Sequence, residues 1–177
     1  MKVLFVCTGN ICRSPVAEKL LERHSTERGL GLRVSSAGTR ALNGQPMHPE
    51  SQRVLQERGV DPGDFESRML TPDIAADCDL LLGMTREHRA IARQLAPARW
   101  KRMFAIREIA TGTASRSSLG PRAVNPTDVE LDIRDPIGES PQIFDEVAGE
   151  IAALIPEIVY WITSQEVVAH GKQHSAD

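Results

Sequence analysis

The chain has 177 residues, 41% of them hydrophobic and 25% charged, with a formal net charge of −3, which suits one buried core and a single domain and excludes general disorder. Its Lys and Arg are spread along the sequence and form no runs, so the electrostatic footprint of a nucleic-acid binder is missing. No apolar run approaches the ~20 residues needed to cross a bilayer, and Val3-Leu4-Phe5-Val6 is too short for a signal-peptide core. Three cysteines, two of them in one loop, make a poor secreted disulfide framework. A cytoplasmic protein with reduced thiols is expected.

Lys2–Cys7 is a short β-branched apolar run followed by Gly9-Asn10, which predicts a first strand. From Pro15 the pattern turns helical, with Val16, Leu20 and Leu21 sharing a face, Ser14 as the expected N-cap and Gly29 and Gly31 closing the helix. Leu32–Ser36 reads as a second strand and Pro49–Arg58 as a helix ended by Gly59. Asp79–Met84 follows as a buried strand, Arg86–Leu95 as a helix stopped by Pro97, and Arg102–Ile106 as a fourth strand. This alternation predicts an α/β fold, an open parallel four-stranded sheet with helices on both faces.

Thr111–Asn125 is rich in Ser, Thr, Gly, Pro and Arg, and a mobile surface loop is expected there. Ile143, Phe144, Val147, Ile151, Leu154, Ile155, Ile158 and Ile162 recur at helical spacing, which predicts a closing helix from Pro141 to about Ser164. Without a repeat or a second core, one domain over residues 1–165 and a frayed tail over 166–177 are expected.

The segment Cys7-Thr8-Gly9-Asn10-Ile11-Cys12-Arg13-Ser14 carries the chemistry. A cysteine reacts as its thiolate, which backbone N–H groups at a helix N-terminus and a fixed positive charge stabilise. Cys7 falls where a parallel strand ends, the edge at which open α/β sheets bind ligands. Residues Thr8–Ser14 can wrap their N–H groups round a tetrahedral anion, with Gly9 and Asn10 tolerating left-handed backbone angles. Arg13 would return over that anion with its bidentate guanidinium, and Ser14 can donate to the thiolate. No Gly-x4-Gly-Lys-Ser/Thr loop is present, and no Gly-x-Gly-x-x-Gly follows a strand.

Val6-Cys7-Thr8-Gly9-Asn10-Ile11-Cys12-Arg13-Ser14-Pro15, followed by Ala17-Glu18, resembles the signature of the low-molecular-weight protein tyrosine phosphatase family. The resemblance continues through Ser35-Ser36-Ala37-Gly38-Thr39 and Asp135-Pro136 and covers roughly Lys2 to Ile162. It implies a flavodoxin-like sheet of order 2-1-3-4 and hydrolysis of phosphotyrosine in a protein substrate through a cysteinyl-phosphate intermediate, without metal or other cofactor. Carried over residue by residue, it makes Cys7 the nucleophile, Arg13 the phosphate and transition-state binder, Asn10 a loop-shaping residue and Ser14 the thiolate's donor.

Protonating the leaving oxygen calls for a carboxylic acid that afterwards activates water. Asp135, before the closing helix, matches the family's general acid, whereas Asp128 and Asp132 lack the following Pro and read as solvated loop charges. Where many family members carry aromatic groove residues, this chain has Leu42 and Ile137, an aliphatic pair able to sandwich a phenyl ring. Asp132–Ser140 also looks like the protein arginine phosphatase branch, but that branch implies Thr at the position of Ile11. An arsenate reductase would need further cysteines, and Cys78 reads as a small core residue. An inactive phosphate-binding module is the alternative of another class, and it would be expected to lose Cys7 or Asp135.

Cys12, across the loop from Cys7, is expected either to form a protective disulfide with it under oxidation or to be a packed thiol. His48 is expected to cap the second helix or line the groove. Tyr160-Trp161 is expected to pack as a helix anchor, His170 and His174 to be tail residues and not metal ligands, and the protein to be a monomer.

Overall fold

The computed structural model describes residues 1–110 and 131–171. Strands β1 (Lys2–Cys7), β2 (Arg33–Gly38), β3 (Leu80–Gly83) and β4 (Met103–Ala105) form one sheet in the order β2-β1-β3-β4, with every neighbouring pair parallel. Among the described residues six α-helices surround it: α1 (Arg13–Glu27), α2 (Pro49–Glu57), α3 (Pro72–Ala76), α4 (Arg86–Leu95), α5 (Ile106–Ala110) and α6 (Pro141–Gly171). The α/β architecture and sheet order are those expected. Helices α3 and α5 are additional, each of five residues and too short to register a hydrophobic period.

A strand turns successive side chains to opposite faces, so β1 feeds two cores. Val3 and Phe5 pack with Leu80, Leu82 and Phe104 under α1, α2 and α6. Leu4 and Val6 pack with Leu81, Met103 and the α3 and α4 residues Ala75 and Ala92. Burial on both faces is why these strands read as continuous apolar runs.

Over Pro141–Ser164, α6 is long and apolar enough to cross a membrane by length and composition, which departs from the sequence expectation. The fold gives that apolarity a use, since Phe144, Val147, Ile151, Ile155, Ile158 and Ile162 are buried in the core. Trp161 meets Phe104 edge-on at 5.7 Å between centroids. Its neighbour Tyr160 is 72% exposed, so the anchoring expected of the pair holds for Trp161 alone. Adjacent helical residues face directions about 100° apart. The helix also runs to Gly171, where a frayed tail was expected. The expected loop Thr111–Asn125, Asp128, the residues after Gly171 and the side chain of His170 lie outside what is described.

Two glycines hold the site end of the sheet. Gly38, paired with Cys7, lies so close to the next loop that a Cβ there would sit 2.5 Å from the Thr8 carbonyl oxygen and 2.9 Å from the Asn10 nitrogen. Gly83, paired with Val6, admits the first turn of α4, where a Cβ would lie 2.8 Å from the Arg89 nitrogen.

Candidate active site

The loop leaving β1 is turned inside out by its neighbours. The carbonyls of Cys7, Thr8 and Ile11 accept from the N–H groups of Thr39, Arg40 and His48, each at 2.9 Å. With those carbonyls engaged outside, the Asn10 N–H turns the other way and reaches the Cys7 Sγ at 3.2 Å. A loop of this form, running into the first turn of a helix, is suited to holding an anion. Asn10 takes the positive φ of 55° expected of a loop-shaping residue and is fully buried.

The Asn10 side chain fixes the direction of the hydrogen bonds. The Arg68 N–H can only donate, so the atom facing it at 2.9 Å is Asn10 Oδ1. The Nδ2 group therefore donates to Ser14 Oγ at 3.0 Å and Ser36 Oγ at 2.8 Å. Ser14 is left with its own hydrogen for Cys7 Sγ, 3.0 Å away, and Ser36 donates to Glu18. This corrects the expected role of Ser14 as N-cap: α1 starts at Arg13 after Cys12, without a side-chain cap, and Ser14 is buried beneath the sulfur. Burial raises the Glu18 carboxyl above its ordinary range, against the hydrogen bond from Ser36. Ser36, Glu18 and Arg68 received no role from the sequence, although Ser36 and Glu18 lie within its recognised segments.

Arg13 is 4% exposed, donates from Nη1 to the Ile133 carbonyl at 3.0 Å and pairs through Nη2 with Asp135. The Asp135 segment is itself anchored, with the Ile133 N–H on the Met84 carbonyl at 2.9 Å and the Ile137 N–H on Asp135 Oδ1 at 3.2 Å. Asp132 is no solvated charge, as had been expected. It accepts from the Arg86 N–H at 2.8 Å and pairs with the Arg86 guanidinium at 3.0 Å. Partial burial works against its ionisation, but the Arg86 hydrogen bonds outweigh it and hold the carboxyl below its usual range.

Cys7, Thr8, Gly9, Ile11, Cys12, Arg13, Asp135 and Ile137 line one cavity of about 200 Å³. Leu42 does not line it; 73% exposed, it stands on the loop after β2. Cys12 is buried behind the loop, and burial with the neighbouring Cys7 pushes its thiol up to about 12. His48 caps α2, accepting from the Glu50 N–H at 3.2 Å, and stacks on Phe144 at 4.8 Å. Cys78 is buried two residues before β3, whose Leu80 pairs with Val3, and so lies towards the opposite end of the sheet from Cys7. The sequence reading also missed His88 and Arg86, whose position in the first turn of α4 carries no motif by itself.

The family model described as low molecular weight phosphotyrosine protein phosphatase matches residues 2–169. The protein-arginine-phosphatase of Bacillus subtilis is 31% identical over 159 residues, covering 89% of this chain and 94% of that protein. Low molecular weight protein-tyrosine phosphatase A of Mycobacterium tuberculosis is 33% identical over 166 residues, covering 92% and 91%. Among solved structures, a mutant YwlE arginine phosphatase with a phosphorylated active-site serine superposes with a TM-score of 0.78 at 28% identity, covering 92% of this chain and 96% of that one. With a match over nearly its whole length, this chain belongs to the low molecular weight phosphotyrosine protein phosphatase family, whose named tyrosine phosphatases are hydrolases of phosphoric monoesters.

Proposed function

We propose that the protein hydrolyses phosphotyrosine in protein substrates through a cysteinyl-phosphate intermediate. The observation that carries this reading is the meeting of Cys7, Arg13 and Asp135 in one cavity whose further walls include Ile11 and Ile137. Cys7 attacks the phosphorus, the backbone amides of Thr8–Ser14 and the Arg13 guanidinium take the charge on the equatorial oxygens, and Asp135 protonates the departing phenolate. Asp135 then deprotonates the water that releases phosphate from Cys7.

Aliphatic side chains at Ile11 and Ile137 suit the flat face of a phenyl ring. A guanidinium between them would leave donors unpaired, which is costly away from water. Phosphoarginine is the second reading, favoured by the 31% identity to the Bacillus subtilis protein-arginine-phosphatase. A disulfide relay of the arsenate-reductase kind is disfavoured by Cys78, about six strand residues or ~20 Å along the sheet from Cys7. Work in the cytoplasm as a monomer belongs to the same proposal.

The test is turnover of para-nitrophenyl phosphate with EDTA present, followed by release of phosphate from phosphotyrosine and phosphoarginine peptides. Activity lost in Cys7→Ser and strongly reduced in Asp135→Asn, with phosphotyrosine preferred, is the expected result. A folded but inactive wild type would favour the binding module or the reductase, and a preference for phosphoarginine would overturn the substrate assignment.

A further inference from the structure

His88 is the one buried histidine among the described residues, 4% exposed in the first turn of α4, and no step of the proposed hydrolysis uses it. Both of its ring nitrogens meet hydroxyls. Nδ1 lies 2.8 Å from Thr85 Oγ1, and Nε2 lies 2.9 Å from Thr8 Oγ1, on the residue following the nucleophile. Gly83 lets His88 lie close against β3, since a Cβ at that position would sit 3.1 Å from His88 Cβ. Arg13, Asp135 and Asp132 supply the charges that act on it.

The two hydroxyls bear on which ring nitrogen carries the proton. Thr85 Oγ1 already accepts from the His88 backbone N–H at 3.3 Å, as the N-cap of α4. Its own hydrogen has no acceptor among the described residues other than His88 Nδ1. With Nδ1 accepting, a neutral ring carries its proton on Nε2, and that N–H donates to Thr8 Oγ1. Thr8 is then left with a hydroxyl hydrogen that no described protein atom accepts, on a residue that lines the nucleophile cavity. Burial first, and the charge of Arg13 next, hold the imidazole down to about 4, so the ring stays neutral at neutral pH.

We propose that His88, as its Nε2–H tautomer, is a positioning residue that holds the Thr8 hydroxyl as an additional side-chain donor to a non-bridging oxygen of the bound phosphate ester. The inference rests on the loop being a phosphate cradle, and it goes beyond the backbone amides in naming a side chain and what aims it. Thr8 touches the anion; His88 acts through it. A hydroxyl pinned on one side by a histidine cannot rotate away from the anion, so the donor is oriented before the ester arrives.

The experiment measures binding of inorganic phosphate by calorimetry to the wild type, Thr8→Val, His88→Leu, His88→Gln and the double variant Thr8→Val/His88→Leu. In parallel, nitrogen-15 shifts of the histidines are recorded in the wild type, with His88 assigned through His88→Gln. We expect Thr8→Val to weaken phosphate about tenfold, the loss of one hydrogen bond to a charged group. His88→Leu should match it, and the double variant should be no worse than either single one. His88→Gln, whose amide can donate to Thr8 Oγ1, should restore most of the affinity, which a merely space-filling role would not require. Equal affinities across the set with a phosphate-binding wild type, or an Nδ1–H tautomer at His88, would overturn this inference alone. A folded wild type that binds no phosphate would overturn it together with the cradle reading. The tautomer measurement stands even where a variant fails to fold.

Discussion

The Arg13 guanidinium is shared between the Ile133 carbonyl at 3.0 Å and the Asp135 carboxylate, and both residues line the same cavity as Cys7. In the proposed reaction an entering phosphate would compete with Asp135 for the Nη2 edge and free the carboxylate to face the leaving oxygen. Asp135→Asn keeps the shape and removes the proton. We expect kcat to fall by about 10²- to 10⁴-fold for aryl phosphates with basic leaving groups and by less for para-nitrophenyl phosphate. Phosphate affinity should rise, because the competing charge is gone. Rates across a series of substituted phenyl phosphates check this, and a loss independent of leaving-group basicity would remove the acid role from Asp135.

Asn10 combines a left-handed backbone with a side chain serving Arg68, Ser14 and Ser36. Asn10→Ala should cost about 2–4 kcal/mol, from strain at positive φ and from the unpaired buried groups left behind. Asn10→Asp is the sharper test. It tolerates the backbone and still accepts from Arg68, but it turns an acceptor towards the serines and draws the Ser14 hydrogen away from Cys7. Urea unfolding should therefore show a smaller loss than for alanine, while kcat/KM falls at least as far.

Much of this site was legible because its chemistry is local in sequence. Seven consecutive residues after Cys7 make the loop beside the sulfur, and Asp135-Pro136 marks the carboxylate that lines the same cavity. Long-range partners were not legible: Ser36, Arg68 and His88 touch the loop from 26 to 80 residues away, and Glu18 reaches Ser36 across 18. The two five-residue helices escaped because one turn shows no period. Ser14 was misread for a related reason. Ser before Pro is an N-cap signal, but the buried thiol had a prior claim on its hydroxyl. Asp132 read as solvated because its partner Arg86 is 46 residues away in sequence.

His88 should make the fold acid-sensitive in a defined window. Burial, and then the Arg13 charge, lower its imidazole from the ordinary 6.5 to about 4. Between those values the unfolded chain binds a proton that the folded one refuses, so stability rises with pH there. The contribution is complete above about pH 6.5 and is lost as pH falls towards 4, amounting to roughly 3 kcal/mol. Urea unfolding of wild type and His88→Gln at steps between pH 7 and 4 isolates this histidine from other titrating groups. The variant's dependence should be the flatter one, and parallel curves would rule out the contribution.

Cys12 has a thiol that burial and the adjacent Cys7 push up to about 12, so at neutral pH it is held as S–H. Peroxide converts the Cys7 thiolate to a sulfenic acid, and the Cys12 thiolate then attacks that sulfur, forming the S–S bond and expelling hydroxide. Because only the thiolate attacks, disulfide formation should speed up as pH rises, by nearly tenfold per unit while the thiolate remains a minor species. The measurement is the fraction of activity that dithiothreitol recovers after a peroxide pulse, taken against pH for wild type and Cys12→Ser. Recovery should grow with pH in the wild type, where the disulfide outruns further oxidation, and should be poor in Cys12→Ser, where the sulfenic acid has no thiol to trap it. Equal recovery in the two proteins would show that Cys12 is only a packed thiol and that protection comes from elsewhere.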